Sequence, residues 1–190
     1  RTKRLLHQLN GFIDVNQKKK MEVWNKTEIE QIPEIDLNRF FLKPIKTPEN
    51  KWEKKKIALL GIMAGKGFNE RYKGHPREKE LLKRLKREMT IVVQGNFYDY
   101  FLVIEDIFRF GRTEGIHLGV RGSVVGSVLA YCLGINQFDP TRHRLKFERF
   151  LNPYRENKPD IDIEIPATRM KEVHDYIKDK YGEQNVAKII

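Results

Sequence analysis

The sequence predicts an α+β fold, a mixed sheet with helices packed on it. Three observations carry this. Residues 159–165 read Pro-Asp-Ile-Asp-Ile-Glu-Ile, a strict alternation that marks a half-buried strand. Residues 81–89 place Leu81, Leu82, Leu85 and Met89 along one helical stripe. Hydrophobic residues make up 39% of the 190, enough to build the core of one ordinary domain.

Taken in order, the first fifty residues are irregular. A short helix is expected at residues 4–9, and Lys18, Lys19 and Lys20 form a solvated charge run. Pro33, Pro44 and Pro48 make residues 31–50 an extended connector. A helix is expected over residues 52–68, with Ile57, Leu60 and Met63 on one side and Gly65 and Gly67 ending it. His75-Pro76 opens a second helix, whose other faces carry Lys79, Lys83, Arg84, Lys86 and Arg87. Gly95-Asn96 breaks it. Residues 97–110, rich in aromatic and aliphatic side chains, read as a core helix closed by Gly111. Residues 116–120 suit a short strand, residues 124–133 an apolar helix ending at Gly134, and Asp139-Pro140 a turn. The acidic strand follows. Residues 168–181 form an amphipathic helix with Met170, Val173 and Ile177 inward and Gly182 as its cap. Residues 186–190 begin another strand.

The formal net charge is +11 and the pI about 9.7, a balance that suits a polyanionic partner. The excess is concentrated: residues 51–90 hold thirteen Lys/Arg against five Asp/Glu. The single cysteine, Cys132, sits in an apolar run and reads as a small buried hydrophobe. The histidines show no metal-ligand spacing. No apolar run reaches the length of a membrane span and no signal peptide is present, so a cytoplasmic protein without membrane contact is expected. The first residue is Arg1 and the last, Ile190, falls within an apolar run, as in a piece of a longer protein.

Three constellations bear on chemistry. On a strand, Asp160 and Asp162 point to the same face, with Cα atoms about 6–7 Å apart. Glu164 is a third acid on that face, and the isoleucines lie opposite. Carboxylates side by side repel unless a cation sits between them, and magnesium is the hard cation that takes carboxylate and phosphate oxygens. A bare Asp-x-Asp also describes an exposed strand with a solvated acidic face. Next, Gly119 to Val128 reads Gly-Val-Arg-Gly-Ser-Val-Val-Gly-Ser-Val. Gly122 and Ser123 sit where a loop enters a helix, a natural phosphate site, and Arg121 adds charge. It is not a Walker A motif. The plainer alternative makes Ser123 an N-cap, and Gly126 and Ser127 small packing residues. Last, Phe147 to Arg155 precedes the acidic strand. Arg149 and Arg155 suit phosphate or the carboxylates, although Glu148 and Arg149 could simply pair at the surface. Together, a glycine-serine turn for a triphosphate and a strand with two aspartates for metal ions form the layout of nucleotidyl transfer.

Five segments resemble one family, the bacterial C-family replicative DNA polymerases (the DNA polymerase III alpha subunit). They are GVRGSVVGSVLAYCLGI at 119–135, Asp139-Pro140, FERFLNP at 147–153, PDIDIEI at 159–165 and Tyr181-Gly182. FYDYFLVIEDIF at 97–108 resembles the family's Tyr-Phe-Leu helix. The chain departs from the pattern in a glycine-rich turn one residue shorter, and in Glu164 and Ile165 where the family usually has an aspartate and an aromatic. It is identified as a divergent member.

The resemblance implies a partial polymerase-beta-like nucleotidyltransferase palm. Residues 51–190 would be its first segment and residues 1–50 the connector or tail of a preceding domain. It makes Asp160 and Asp162 catalytic metal ligands for two Mg²⁺ ions, with Mn²⁺ as a substitute. Arg121, Gly122, Ser123, Arg149 and Arg155 would serve the nucleotide. It implies primer-template DNA and deoxynucleoside triphosphates as substrates, with a sliding clamp and other replisome subunits as partners. The third carboxylate of the family follows a thumb insertion and is expected beyond Ile190, so residues 1–190 alone should be inactive.

Two rival readings stand beside this one. In the first, Lys79, Lys83, Arg84, Lys86 and Arg87 hold a nucleic-acid backbone and the acidic strand has no catalytic role. In the second, the chain is a small-substrate nucleotidyltransferase, against which the long spacing from Ser123 to Asp160 argues.

Overall fold

A computed structural model describes residues 7–8, 29–152 and 159–187. The lysine run at 18–20, Arg155 and residues 188–190 lie outside the described residues. The architecture is helix-dominated α+β. Helices α1 (Lys51–Tyr72), α2 (Glu78–Gln94) and α3 (Tyr98–Thr113) build most of the core. A short α4 (Val128–Cys132) packs on α1 and α2, and α5 (Met170–Tyr181) packs on α3.

The sheet is small and antiparallel among the described residues, rather than mixed. Strand β3 (Asp162–Glu164) lies between β1 (His7–Gln8) and β2 (Gly119–Arg121). Its register sets Arg121 opposite Asp162, Val120 opposite Ile163 and Gly119 opposite Glu164. On its other side Gln8 stands opposite Asp162. Residues 7 and 8 are therefore strand, not part of the expected helix at 4–9. Pairing with β3 supplies their backbone with partners that a short isolated helix would lack.

Helix α1 starts at Asn50, whose side chain accepts from the Trp52 N–H at 2.7 Å. It does not stop at Gly65 or Gly67 but runs on to Tyr72. Gly67 is there for close approach: a Cβ at that position would stand 1.7 Å from the Cys132 carbonyl oxygen. The lost side chain lets α1 and α4 touch backbone to backbone, which outweighs the propensity cost of glycine in a helix. Likewise Gly111 lies inside α3, packed against Leu118, and the helix ends only after Thr113. The turn between α2 and α3 uses Asn96 at a φ of 57°, in the left-handed region that asparagine tolerates.

The apolar helix expected over residues 124–133 is two pieces. A 3₁₀ turn covers Gly122–Gly126, and α4 begins after Ser127. Ser127 is extended and its Oγ accepts the Ala130 N–H at 3.0 Å, so it caps α4 and ends the first turn. Ser123 makes no cap among the described residues. The proline-punctuated connector also joins the main core, through Leu37 and Phe41. Cys132 is buried as expected, and burial pushes its thiol up to about 12.

Candidate active site

β3 is short, but its alternation orders the surrounding segment. Ile161 and Ile163 are 0% and 4% exposed, and the acids occupy the opposite side. Asp160 precedes the strand proper. The N–H of Ile161, between the two aspartates, donates to the hydroxyl of Tyr100 at 3.0 Å. This bond pins the chain to α3 at the point where it enters the sheet. Tyr100→Phe leaves that buried N–H without an acceptor, and a stranded group of this kind costs about 1–3 kcal/mol. The expected result is a lower melting temperature together with weaker divalent-cation binding. Unchanged values for both would show that the Tyr100 hydroxyl does not hold the segment.

Asp160 and Asp162 share an unusual state. One side-chain oxygen of each, Oδ1, is buried and has no hydrogen-bond partner among the described residues. Burial pushes the Asp162 carboxyl up, the charge of Asp160 pushes it further, and Arg121 opposes both. Burial raises the Tyr100 hydroxyl, the Ile161 N–H opposes it, and the charges of both carboxylates raise it further. A pair of acids with orphaned oxygens that repel each other fits a divalent cation. Glu164 differs, because it ion-pairs with Arg121 at 3.2 Å. Among the described residues, no cluster of three or more His, Cys, Asp or Glu side chains is arranged to hold a metal.

The Arg-Gly-Ser turn adjoins the pair. Gly122 has a φ of 79°, and a Cβ there would stand 3.9 Å from Asp162 Oδ2. Glycine is thus required by the left-handed backbone, and it leaves open space beside the carboxylate. Ser123 is exposed, and among the described residues its hydroxyl makes no hydrogen bond. The Gly122–Gly126 turn packs against a second 3₁₀ turn, Phe147–Arg149, so the segment carrying Arg149 lies alongside it. Arg149 is exposed at the end of that turn. Glu148 pairs with Arg87 of α2 rather than with Arg149.

The basic side chains of α2 divide into two groups. Lys79, Lys83 and Arg87 are exposed and Lys86 is half-buried, whereas Arg84 turns inward. Its guanidinium donates to Glu88 at 3.0 Å and to the carbonyls of Gly126 and Leu145 at 2.6 and 3.0 Å. Lys83 and Arg87 line a groove of about 760 Å³ between α2 and residues 141–148, together with Arg77, Arg144 and Lys146.

Sequence reasoning missed Tyr100 and Glu88, whereas Gly126 is the close-packing residue of the plainer reading. Glu88 did carry a signal: an acid set on the apolar stripe of α2, one turn after an arginine.

The chain matches a family model described as the bacterial DNA polymerase III alpha NTPase domain, over residues 58–190. The chain belongs to this family. It is 46% identical to the DNA polymerase III subunit alpha of Bacillus subtilis (strain 168) over 125 residues, covering 65% of this chain and 11% of that protein. It is 41% identical to the subunit of Halalkalibacterium halodurans over 158 residues, covering 83% and 14%. A Staphylococcus epidermidis relative is 45% identical over 114 residues, covering 60% and 11%. The chain therefore spans about a tenth to a seventh of the length of these DNA polymerase III alpha relatives. Both acidic positions and the Arg-Gly-Ser turn fall inside the stretch that the family model matches.

Proposed function

We propose that this chain is part of the catalytic palm of a replicative DNA polymerase, of the polymerase-beta-like type, which joins deoxynucleoside monophosphates to a primer 3′-hydroxyl. The observation that carries the reading is the pair of orphaned carboxylate oxygens on Asp160 and Asp162, next to the Gly122 turn. Asp160 and Asp162 would hold the divalent ions, two Mg²⁺ or Mn²⁺ in their place. Such ions supply Lewis-acid stabilisation to phosphate oxygens and ease deprotonation of the attacking hydroxyl.

The protein's own part is placement. Gly122, free of a side chain, lets phosphate approach the backbone beside Asp162. Ser123 offers an uncommitted hydroxyl, and Arg121 and Arg149 offer positive charge to a triphosphate. Arg155 belongs to the same proposed set, although it lies outside the described residues. Ile161 and Ile163, buried behind the strand, keep the two carboxylates from rotating into the core. The Mn²⁺ occupancy of the full-length protein, read by electron paramagnetic resonance, tests the assignment. Asp160→Asn should release the bound ion, and undiminished binding would sink the reading.

The groove beside α2 supplies the DNA side. Lys83, Arg144 and Lys146 make no ion pair among the described residues, so their charge is available to phosphates. Arg87 is shared with Glu148. Removing the charges of Lys83, Arg144 and Lys146 together should weaken DNA binding uniformly across sequences and flatten the salt dependence by about one unit per lost phosphate contact. An unchanged slope would place the DNA elsewhere. The same groove also favours a reading as a nucleic-acid-binding module alone, which retained Mn²⁺ binding at Asp160 and Asp162 would exclude. The sliding clamp and other replisome subunits remain proposed partners on family grounds. Among the described residues no helix is long and apolar enough to cross a membrane, and a cytoplasmic setting is proposed.

A further inference from the structure

We infer that Arg84 and Glu88 of α2 are positioning residues that set the two phosphate-facing turns, Gly122–Gly126 and Phe147–Arg149, at a fixed distance from each other. The inference rests on the proposed triphosphate site and adds to it the parts that hold it open. Glu88 is 0% exposed. It accepts from the Ser127 hydroxyl and the Leu129 N–H, both at 2.9 Å, and from Arg84 at 3.0 Å. It thereby fixes the end of the first turn and the start of α4. Arg84 then spans the gap, because its Nη2 reaches the carbonyl of Gly126 at 2.6 Å and that of Leu145 at 3.0 Å. Gly126 ends the turn that begins with Gly122, and Leu145 lies two residues before the turn that carries Arg149. One guanidinium therefore clamps both segments, its Nε serving the carboxylate while its Nη2, farther along the same rigid fork, serves both carbonyls.

Gly126 makes the clamp close. A Cβ there would stand 2.7 Å from the Lys146 carbonyl oxygen, so any side chain would push the two segments apart. The polar contacts of Arg84 with its neighbours are all internal, and none of them needs DNA. This assigns to Arg84 a task different from that of Lys83 and Arg87, its basic neighbours on the same helix.

The test separates placement from mere support of the fold. In the full-length protein, Arg84→Lys keeps a charge for Glu88 but has one nitrogen where the fork has two, so it cannot serve Glu88 and both carbonyls from their present positions. Its melting temperature should stay near that of the parent, its Mn²⁺ binding should persist, and its affinity for deoxyadenosine triphosphate in equilibrium dialysis should fall about tenfold, since small misplacements in such sites have large effects. Gly126→Ala, which forces the two turns apart with the ion pair intact, should lower nucleotide affinity by more than its fall in melting temperature accounts for while Mn²⁺ binding persists, so the proposal stays testable even if one variant fails to fold. Glu88→Gln should fall between the parent and Arg84→Lys. Parent-like nucleotide affinity in Arg84→Lys and Gly126→Ala would overturn the clamp. Loss of affinity only in step with loss of melting temperature would also overturn it, by making the pair a support of the fold alone. A parent protein that binds Mn²⁺ but no nucleotide would instead overturn the triphosphate site, and the clamp with it.

Discussion

Asp160→Ala and Asp162→Ala should each lower primer extension by the full-length protein by about 10³-fold or more if the pair holds the proposed catalytic ions. The magnitude follows from the several kcal/mol of charge stabilisation that a bound cation gives a phosphoryl group, at a factor of ten per ~1.4 kcal/mol. The same substitutions should leave the metal-free protein at least as stable as the parent. Burial and the neighbouring Asp160 raise the Asp162 carboxyl, so the folded state disfavours the charged form. A carboxyl with a raised folded value opposes folding as pH rises through the ordinary carboxylate range toward that value, and the penalty is fully present above it. Near neutral pH, Asp162→Asn should therefore raise the melting temperature without metal while extension collapses. Divalent cations should raise the parent's melting temperature and leave that of the variant unmoved. Near-normal extension by either alanine variant would refute the catalytic assignment. A melting temperature that falls along with activity would mean that the aspartate supports the fold.

Asp106→Ala should be the most destabilising single change away from the candidate site. Asp106 is fully buried in α3 and accepts from the hydroxyls of Tyr176 and Tyr181 at 2.8 and 2.6 Å, from Lys180 at 2.6 Å and from Arg109 at 2.6 Å. Three side chains of α5 are tied to α3 through this one carboxylate. The apolar part comes from Val173, Ile177 and the stacked rings of Phe110 and Tyr176, 3.9 Å apart. Removing one partner of a buried ionic network costs about 3–5 kcal/mol, or roughly 6–20 °C in a chain of this size. Thermal melting checks the size of the effect, and a fall of under about 1 kcal/mol would show that apolar packing alone docks α5.

The acid response of Asp106 has the opposite sign to that of Asp162. Burial alone would push the Asp106 carboxyl up, but the bonds from Lys180, Tyr181, Arg109 and Tyr176 outweigh it and hold the carboxyl below the usual carboxylate range. Its stabilisation is complete above that range and fades as pH falls toward the folded value. The acid limb of the parent's stability curve should flatten in Asp106→Ala.

Much of this is legible in the sequence. Strand alternation is a local property, and two aspartates with isoleucines between them can satisfy burial in only one register. The same holds for α2, α3 and α5, whose stripes face the core within a few residues of the expected ends, except that Leu82, expected on the α2 stripe, is exposed. What was not readable depends on partners distant in the chain. Gly67 looks like a helix terminator until Cys132 is seen across from it. Residues 124–133 look like one helix until Glu88 and Ser127 are seen taking the N–H groups of Leu129 and Ala130. Arg84 has the same composition and spacing as Lys83 and Arg87, and only the carbonyls of Gly126 and Leu145 distinguish it. The connector looked separate because prolines hide a segment's contacts from pattern reading, yet Leu37 and Phe41 sit in the common core.

The middle position of β3 limits how anything can reach its acids. Its neighbours take its backbone on both flanks, and the Ile161 amide is already engaged by a tyrosine. No incoming chain can dock edge-on along this strand. The isoleucine side is filled. Among the described residues the exposed Gly122 turn borders the acids, and under the proposed function a nucleotide would present its phosphates past that glycine.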